Sequence, residues 1–460
     1  MFSDLSKVLT SLLGSGSFVT FGKSSIIQAS EQLVNIVFGL LVTIYMARTF
    51  GPEKFGIWSL ATSIMLVSAT SLKYGLDLAI IRRCSDDSKS HDSFLASAIV
   101  MRLICAVAFM LLLAIAAYTI HPIEAEACEL LLIMLPVLLF IPLETLESWF
   151  RASKDATVPA IARITSVLTG SVLKIGLIAF GAGLVLVGIA HVIQLMLVGI
   201  LLLAFYLRRG FRLKFDATLS SQVRELFLLG APLFVTTLAN MVYMRLDVVM
   251  LAAIKGDHDV GIYSAATRVY EAAQIAPVVL MTAAAPFLFR IYRSNLQQFL
   301  SLFQVLLTAF NVLFVLISVL ICLFSPWIVR LLFGGAYSES ALILSIQILG
   351  LVFVAQGVAT EYWWIARGRL IVSMKRTLVG AVVNILLNAL LIPPFGAVGA
   401  AVANVITVFI TGVGVHMMLG RNGRHLLRLQ ARQRLSPQGL LSLEPLTAPV
   451  APRTPDRART

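Results

Sequence analysis

Two stretches of this chain read alike: GPEKFGIWSLAT at 51–62 and GDHDVGIYSAAT at 256–267. Eight of the twelve positions match or nearly match: Gly51/Gly256, Phe55/Val260, Gly56/Gly261, Ile57/Ile262, Trp58/Tyr263, Ser59/Ser264, Ala61/Ala266 and Thr62/Thr267. Each copy follows one apolar run and opens the next. A chain with this pattern is built from two similar halves, and in a membrane that build belongs most often to transporters whose substrate path lies between the halves.

Composition places the chain in lipid. Hydrophobic residues make up 59% and charged ones only 13%, against about 25% charged in soluble domains. The net charge of +13 does not point to nucleic acid, because the basic residues flank apolar runs and fill the tail. Cys84, Cys105, Cys128 and Cys322 have no metal or redox spacing and read as apolar filler. No cofactor and no metal site is expected.

Runs of about 17–25 apolar residues are long enough to span a bilayer. The sequence predicts twelve: 26–47, 56–80, 94–119, 129–149, 159–181, 184–207, 226–251, 260–287, 300–324, 339–363, 375–393 and 396–418. With the N-terminus inside, the inner loops hold fourteen basic residues and the outer loops four: Arg48, Lys54, Lys255 and Arg330. That asymmetry fits the positive-inside rule. The expected fold class is an all-α membrane protein of twelve transmembrane helices in two pseudo-symmetric six-helix lobes. Residues 1–25 form an N-terminal cytoplasmic or interfacial segment, 26–207 the first lobe, 208–225 a basic cytoplasmic linker, 226–418 the second lobe and 419–460 a basic, disordered cytoplasmic tail. Six spans separate the two copies, so both lobes have the same orientation, with both termini cytoplasmic. Pro136 and Pro142 in span 4, Pro232 in span 7 and Pro277 in span 8 are expected to kink their helices.

Charges inside spans mark a water-filled cavity, because each costs several kcal/mol in hydrocarbon unless paired or hydrated. Arg163, Lys375, Arg376 and Glu129 lie near span ends and read as interfacial snorkelling. Lys73, Arg102 and Lys174 lie deeper, with Lys73 and Asp77 spaced to neutralise each other at i, i+4. In the second lobe Arg245 and Asp247 stand on span 7, and Arg268 and Glu271 on span 8. Asp247 is expected to pair with Arg268 across the hairpin, which leaves Arg245 facing the cavity. The candidate substrate-binding residues are Arg245, Arg268, Arg102, Lys174 and Lys73. The candidate cavity or ion-coupling acids are Asp247, Glu271 and Glu31, with coupling to H+ or Na+ as an option. The chain has no GxxxxGK[ST], HExxH or GxSxG and no long outer loop, so enzyme function is not expected.

Three stretches carry a family resemblance: ARTFGPEKFGIWSLATS at 47–63, ESWFRASKDATVPAIAR at 147–163 and MRLDVVMLAAIKGDHDVGIYSAATRVYE at 244–271. The chain resembles the polysaccharide transporter (Wzx-type) flippases of the MOP superfamily. That resemblance implies translocation of an undecaprenyl-diphosphate-linked oligosaccharide repeat unit by alternating access across the bacterial inner membrane, for O-antigen, capsule or exopolysaccharide. It implies membrane lipids and polysaccharide polymerase machinery as partners. Arginines and lysines in a cavity hold diphosphate by charge-assisted hydrogen bonds. A multidrug/cation antiporter of the same superfamily is the alternative, disfavoured because aromatic residues are only 9% and scattered. A lipid II flippase is the second alternative, disfavoured because span 1 carries Glu31 rather than an arginine cluster.

Overall fold

The computed structural model describes residues 16–85, 91–119, 125–153, 155–211, 213–214, 219–368 and 370–414. The leader before residue 16 and the tail expected at 419–460 lie outside them. So do parts of the basic linker and the side chain of Pro232. Among the described residues the structure is helical throughout, with no strand.

The helices are α1 (Gly16–Leu72), α2 (Asp77–Ser85), α3 (His91–Thr119), α4 (Ala125–Met134), α5 (Thr145–Ala152), α6 (Thr157–Ala179) and α7 (Leu184–Arg208). They continue as α8 (Leu219–Lys255), α9 (Asp257–Ser294), α10 (Leu296–Phe333), α11 (Ser340–Ala366) and α12 (Leu370–Phe409). Eight described helices are long and apolar enough to cross a membrane, or nine with a bent pair counted as one. Helices α1 and α12 each hold two of the predicted spans, broken only at Gly51 and Gly396, whose backbones leave the helical region. Helix α8 carries the seventh span. The described helices thus follow the predicted order of spans.

Two expectations need correction in detail. Span 2 was expected to run to residue 80, yet α1 stops at Leu72 and a turn carries Tyr74 and Gly75 at φ 55° and 65° before α2 begins. Span 4 is not one kinked helix. Pro136 and Pro142 sit in two short 3-10 segments, Leu135–Leu139 and Ile141–Glu144, between α4 and α5. A proline lacks the N–H that an α-helix interior requires, and two within seven residues hold the chain out of α geometry. The halves of this span bend by 43°. Pro277, by contrast, is carried inside α9.

The chain divides into two compact units. One comprises residues up to Arg268 together with Pro326–Ile343 and Ala381–Ala403; the other comprises Val269–Ser325, Leu344–Gly380 and the chain from Asn404. The first unit contains both copies of the repeat, and they are equivalent in three dimensions. Gly51 and Gly256 both take left-handed φ, 76° and 89°, which glycine adopts without steric cost. Five residues on, a Cβ at Gly56 would overlap the Asp257 carbonyl oxygen, and one at Gly261 would overlap the Pro52 carbonyl oxygen. The two helix starts therefore cross reciprocally, each glycine admitting the first turn of the other. Local bonding repeats as well: Thr62 Oγ1 donates to Trp58 O at 2.8 Å, and Thr267 Oγ1 to Tyr263 O at 2.9 Å.

The second unit has an aromatic core of its own. Trp363 lies 5.4 Å from Phe299 and 4.9 Å from Phe303, ring centre to ring centre, and the Arg367 guanidinium lies over the indole at 4.5 Å.

Candidate ionic site in the first unit

The end of the first unit that the charge rule places inside has an apolar base. Leu95, Leu146, Trp149, Phe150, Leu202 and Tyr206 pack there. Trp149 makes edge contacts with Tyr206 at 5.1 Å and Phe211 at 4.6 Å. This base fixes α5, and α5 with the adjoining 3-10 turn presents Glu144 and Glu147 towards α1 and α6.

Arg163, on the second turn of α6, meets three carboxylates. Its Nη2 lies 2.5 Å from Glu147 Oε2 and 3.2 Å from Glu144 Oε2, and its Nε lies 3.4 Å from Glu31 Oε1. Lys73 Nζ holds Glu144 Oε2 at 2.9 Å, and Arg151 bonds Glu147 within its own helix. Deeper, the guanidinium of Arg102 donates to Asp77 Oδ1 at 2.8 Å, Lys73 O at 2.7 Å and Thr145 Oγ1 at 3.0 Å. Four carboxylates and four cations thus interlock around a cavity of about 210 Å³ lined by Lys73, Asp77, Glu144, Glu147, Arg151 and Arg163. Charge balance is what lets so many ionised groups collect in one place, because each acid is held by a cation that would otherwise be unpaired.

Three readings from the sequence change here. Lys73 and Asp77 are not direct ion-pair partners, because the turn at Tyr74–Gly75 breaks the helical spacing that would align them; each takes its closest partner from elsewhere, Glu144 and Arg102. Arg163 is not a snorkelling residue but the centre of the network. Arg376 is likewise paired, its Nη2 2.6 Å from Glu361 Oε2, with Ser373 bonded to the other carboxylate oxygen. Lys375 is exposed, as interfacial snorkelling requires.

The remaining candidates are spread more widely. Arg102 is wholly buried and ties α3 to the turn after α1. Lys174 is buried on α6 and donates to Gln194 Oε1 at 2.7 Å, a side chain admitted by the missing Cβ of Gly170. Glu31 joins Arg163. Asp247 is buried and accepts from the Tyr263 hydroxyl and, at 2.8 Å, from the Val248 N–H. Arg245 on α8 and Arg268 and Glu271 on α9 are half-buried.

Glu144, Glu147 and Arg163 escaped the sequence reading as site residues, although a signal was present. ESWFRA at 147–152 recurs as EYWWIA at 361–366. Glu147 pairs with Arg163 in the first unit and Glu361 with Arg376 in the second, so the same clasp joins the fourth span to the fifth and the tenth to the eleventh. This second repeat is degenerate and short, and only the ion pairs make it visible.

Beside the cluster, Tyr74 is the one non-glycine residue with positive φ among the described residues. Its ring stacks between Phe227, at 5.5 Å, and Phe234, at 4.8 Å, on α8, where Gly230 leaves room for it. The residue next to Lys73 therefore clamps α8. Tyr74→Ala is expected to lower the thermal midpoint of the purified protein by several degrees, since truncating a buried aromatic costs roughly 3–5 kcal/mol. Tyr74→Phe should melt like wild type, because it keeps both stacks. Equal melting of all three proteins would show that the stack contributes nothing.

Outside the spans, Asp155 accepts from Arg209 Nη2 at 2.5 Å and from the Thr157 N–H at 3.2 Å. Burial pushes its carboxyl up, but these donors outweigh that and hold it below the ordinary aspartate range.

Comparison with known proteins agrees with this architecture. The family model described as "Polysaccharide biosynthesis protein" matches residues 21–292. The capsular polysaccharide biosynthesis protein CapF of Staphylococcus aureus is 22% identical over 202 residues, 44% of this chain and 51% of that protein. The "Putative O-antigen transporter" of Escherichia coli (strain K12) is 25% identical over 257 residues, 54% of this chain and 59% of that protein. The chain thus spans a little over half the length of the curated relatives it matches. Among solved structures, the lipid II flippase MurJ in an inward closed conformation superimposes with a TM-score of 0.73 at 17% identity, over 90% of this chain and 91% of that one. An inward-facing MATE multidrug transporter of the MOP superfamily gives 0.68 at 17% identity, over 87% and 96%. At such identities the likeness shows the fold. These solved structures are named as a flippase and a transporter. With the family model covering more than half of its residues, this chain belongs to the polysaccharide biosynthesis protein family and has the fold of a MOP-superfamily transporter.

Proposed function

We propose that the protein translocates a lipid-linked oligosaccharide repeat unit from the inner to the outer leaflet of the bacterial inner membrane, with both termini cytoplasmic. The observation that carries this reading is the ionic cavity around Arg163. A diphosphate arriving there competes with Glu144 and Glu147 for the guanidinium and for Lys73. Arginine suits that exchange because its planar fork matches carboxylate and phosphate oxygens alike. Coupling of this exchange to H+ or Na+ is part of the proposal. Arg245, Arg268, Arg102 and Lys174 remain proposed contacts along the path, and Asp247 and Glu271 proposed cavity acids. The acid count is matched by bases, and that distinguishes the cavity from an acid-dominated site suited to organic cations.

Deletion of the gene tests the proposal. Surface polysaccharide should disappear while lipid-linked repeat units accumulate facing the cytoplasm. Normal surface polymer together with increased sensitivity to cationic dyes would favour the antiporter reading instead.

A further inference from the structure

A second cavity lies on the flank of the first unit, between α3 and α8. It encloses about 400 Å³ and is lined chiefly by Met101, Ile104, Cys105, Val223, Phe227 and Leu228, with Ser220 and Arg224 at one end. That volume falls within the range of built ligand sites, about 300–1,000 Å³. The lining is apolar and open to the side: Ile104, Phe227 and Leu228 are 59%, 49% and 64% exposed. It runs from Ser220 to Leu228 along α8, about 12 Å at 1.5 Å per residue, nearly the depth of one leaflet's hydrocarbon, about 15 Å. Its polar end coincides with the first turn of α8, where the helix dipole favours an anion. Arg224 is exposed there.

We propose that this groove is a binding site for the hydrocarbon tail of a polyprenyl phosphate or diphosphate, with the phosphate end at Arg224 and the start of α8. The inference rests on the flippase reading above and adds where the tail is held. Two features select this occupant: the groove is apolar along its length, and it ends at the Arg224 cation beside the start of α8. Phe227 also connects the groove to the clamp, because the same ring stacks on Tyr74, the neighbour of Lys73 in the ionic site. A tail in the groove therefore packs on the helix that Tyr74 holds.

The test uses the full-length protein in nanodiscs with C55 polyprenyl phosphate as the probe. Ile104→Trp and Leu228→Trp each fill the groove, and Arg224→Ala removes its cation. Leu112→Trp, on the exposed face of the same α3, is the control. Retention of the probe by native mass spectrometry is expected to fall at least tenfold in the three groove variants and to stay at the wild-type level in the control. A probe with a diazirine in its first isoprene units should label wild type within 101–105 or 223–228, a readout independent of any variant's folding. Phosphatidylglycerol in tenfold excess should not displace it. Wild-type binding of the probe with unchanged retention in the groove variants, labelling elsewhere, or displacement by phosphatidylglycerol would each overturn the groove while leaving the flippase reading intact. Absence of probe binding to wild type would overturn both.

Discussion

Arg163→Ala is expected to abolish polysaccharide export and to lower the stability of the protein. Its guanidinium is the shared counter-charge of Glu31, Glu144 and Glu147, and its removal leaves three carboxylates with only Lys73 and Arg151 nearby. Breaking one partner out of a buried ion pair costs roughly 3–5 kcal/mol, because the remaining charge stays desolvated. Arg163 is only part-buried, so the lower end of that range applies. Arg163→Lys should restore stability more than export, since an ammonium supplies the charge but not the fork. The measurements are the melting midpoint in detergent and surface polymer at matched membrane abundance. Wild-type export by Arg163→Ala would remove the cluster from the transport path. The corresponding Arg376→Ala meets one carboxylate, Glu361, and should have the smaller effect.

Gly261→Val is expected to drive the protein out of the arrangement described here. A Cβ at that position overlaps the Pro52 carbonyl oxygen, a backbone atom at the start of a helix that cannot rotate aside. Overpacking typically costs 1–3 kcal/mol where side chains can yield; here no side chain is available to do so. The reciprocal Gly56→Val meets the Asp257 carbonyl and should act alike. Spin labels at Glu53 and His258, both exposed, would report a longer separation in either variant than in wild type. Gly176→Ala, on α6 with open space around its Cβ position, should leave the distance unchanged. An unaltered separation in Gly261→Val would mean that the crossing gives way at little cost.

A good part of this molecule was legible before any coordinates. The helical class follows from long apolar runs, and the order of spans follows from where basic residues interrupt them. The repeat at Gly51 and Gly256 was legible as a repeat, while its left-handed turns and the close helix crossing came only from the structure. The prolines of span 4 announced a break, though not two 3-10 turns.

The ionic site was legible only in its parts. Periodicity aligned Lys73 with Asp77, and only the chain's departure from helix at Tyr74 and Gly75 separates them. Depth along a span assigned Arg163 to the surface, yet three acids from α1, the Ile141–Glu144 turn and α5 converge on it across as many as 132 residues of sequence. Such pairings are not encoded by local spacing. A charge's cost in lipid tells that it must have a partner; which partner is decided by where the packed base beneath α5 points Glu144 and Glu147. The sequence by itself therefore determined the helices, their order and the twofold repeat, because these depend on local hydrophobicity and backbone freedom. Tertiary packing alone chose the ion pairs, the clamp of Tyr74 on α8 and the apolar groove beside it, because each is made by side chains from elements far apart in the chain.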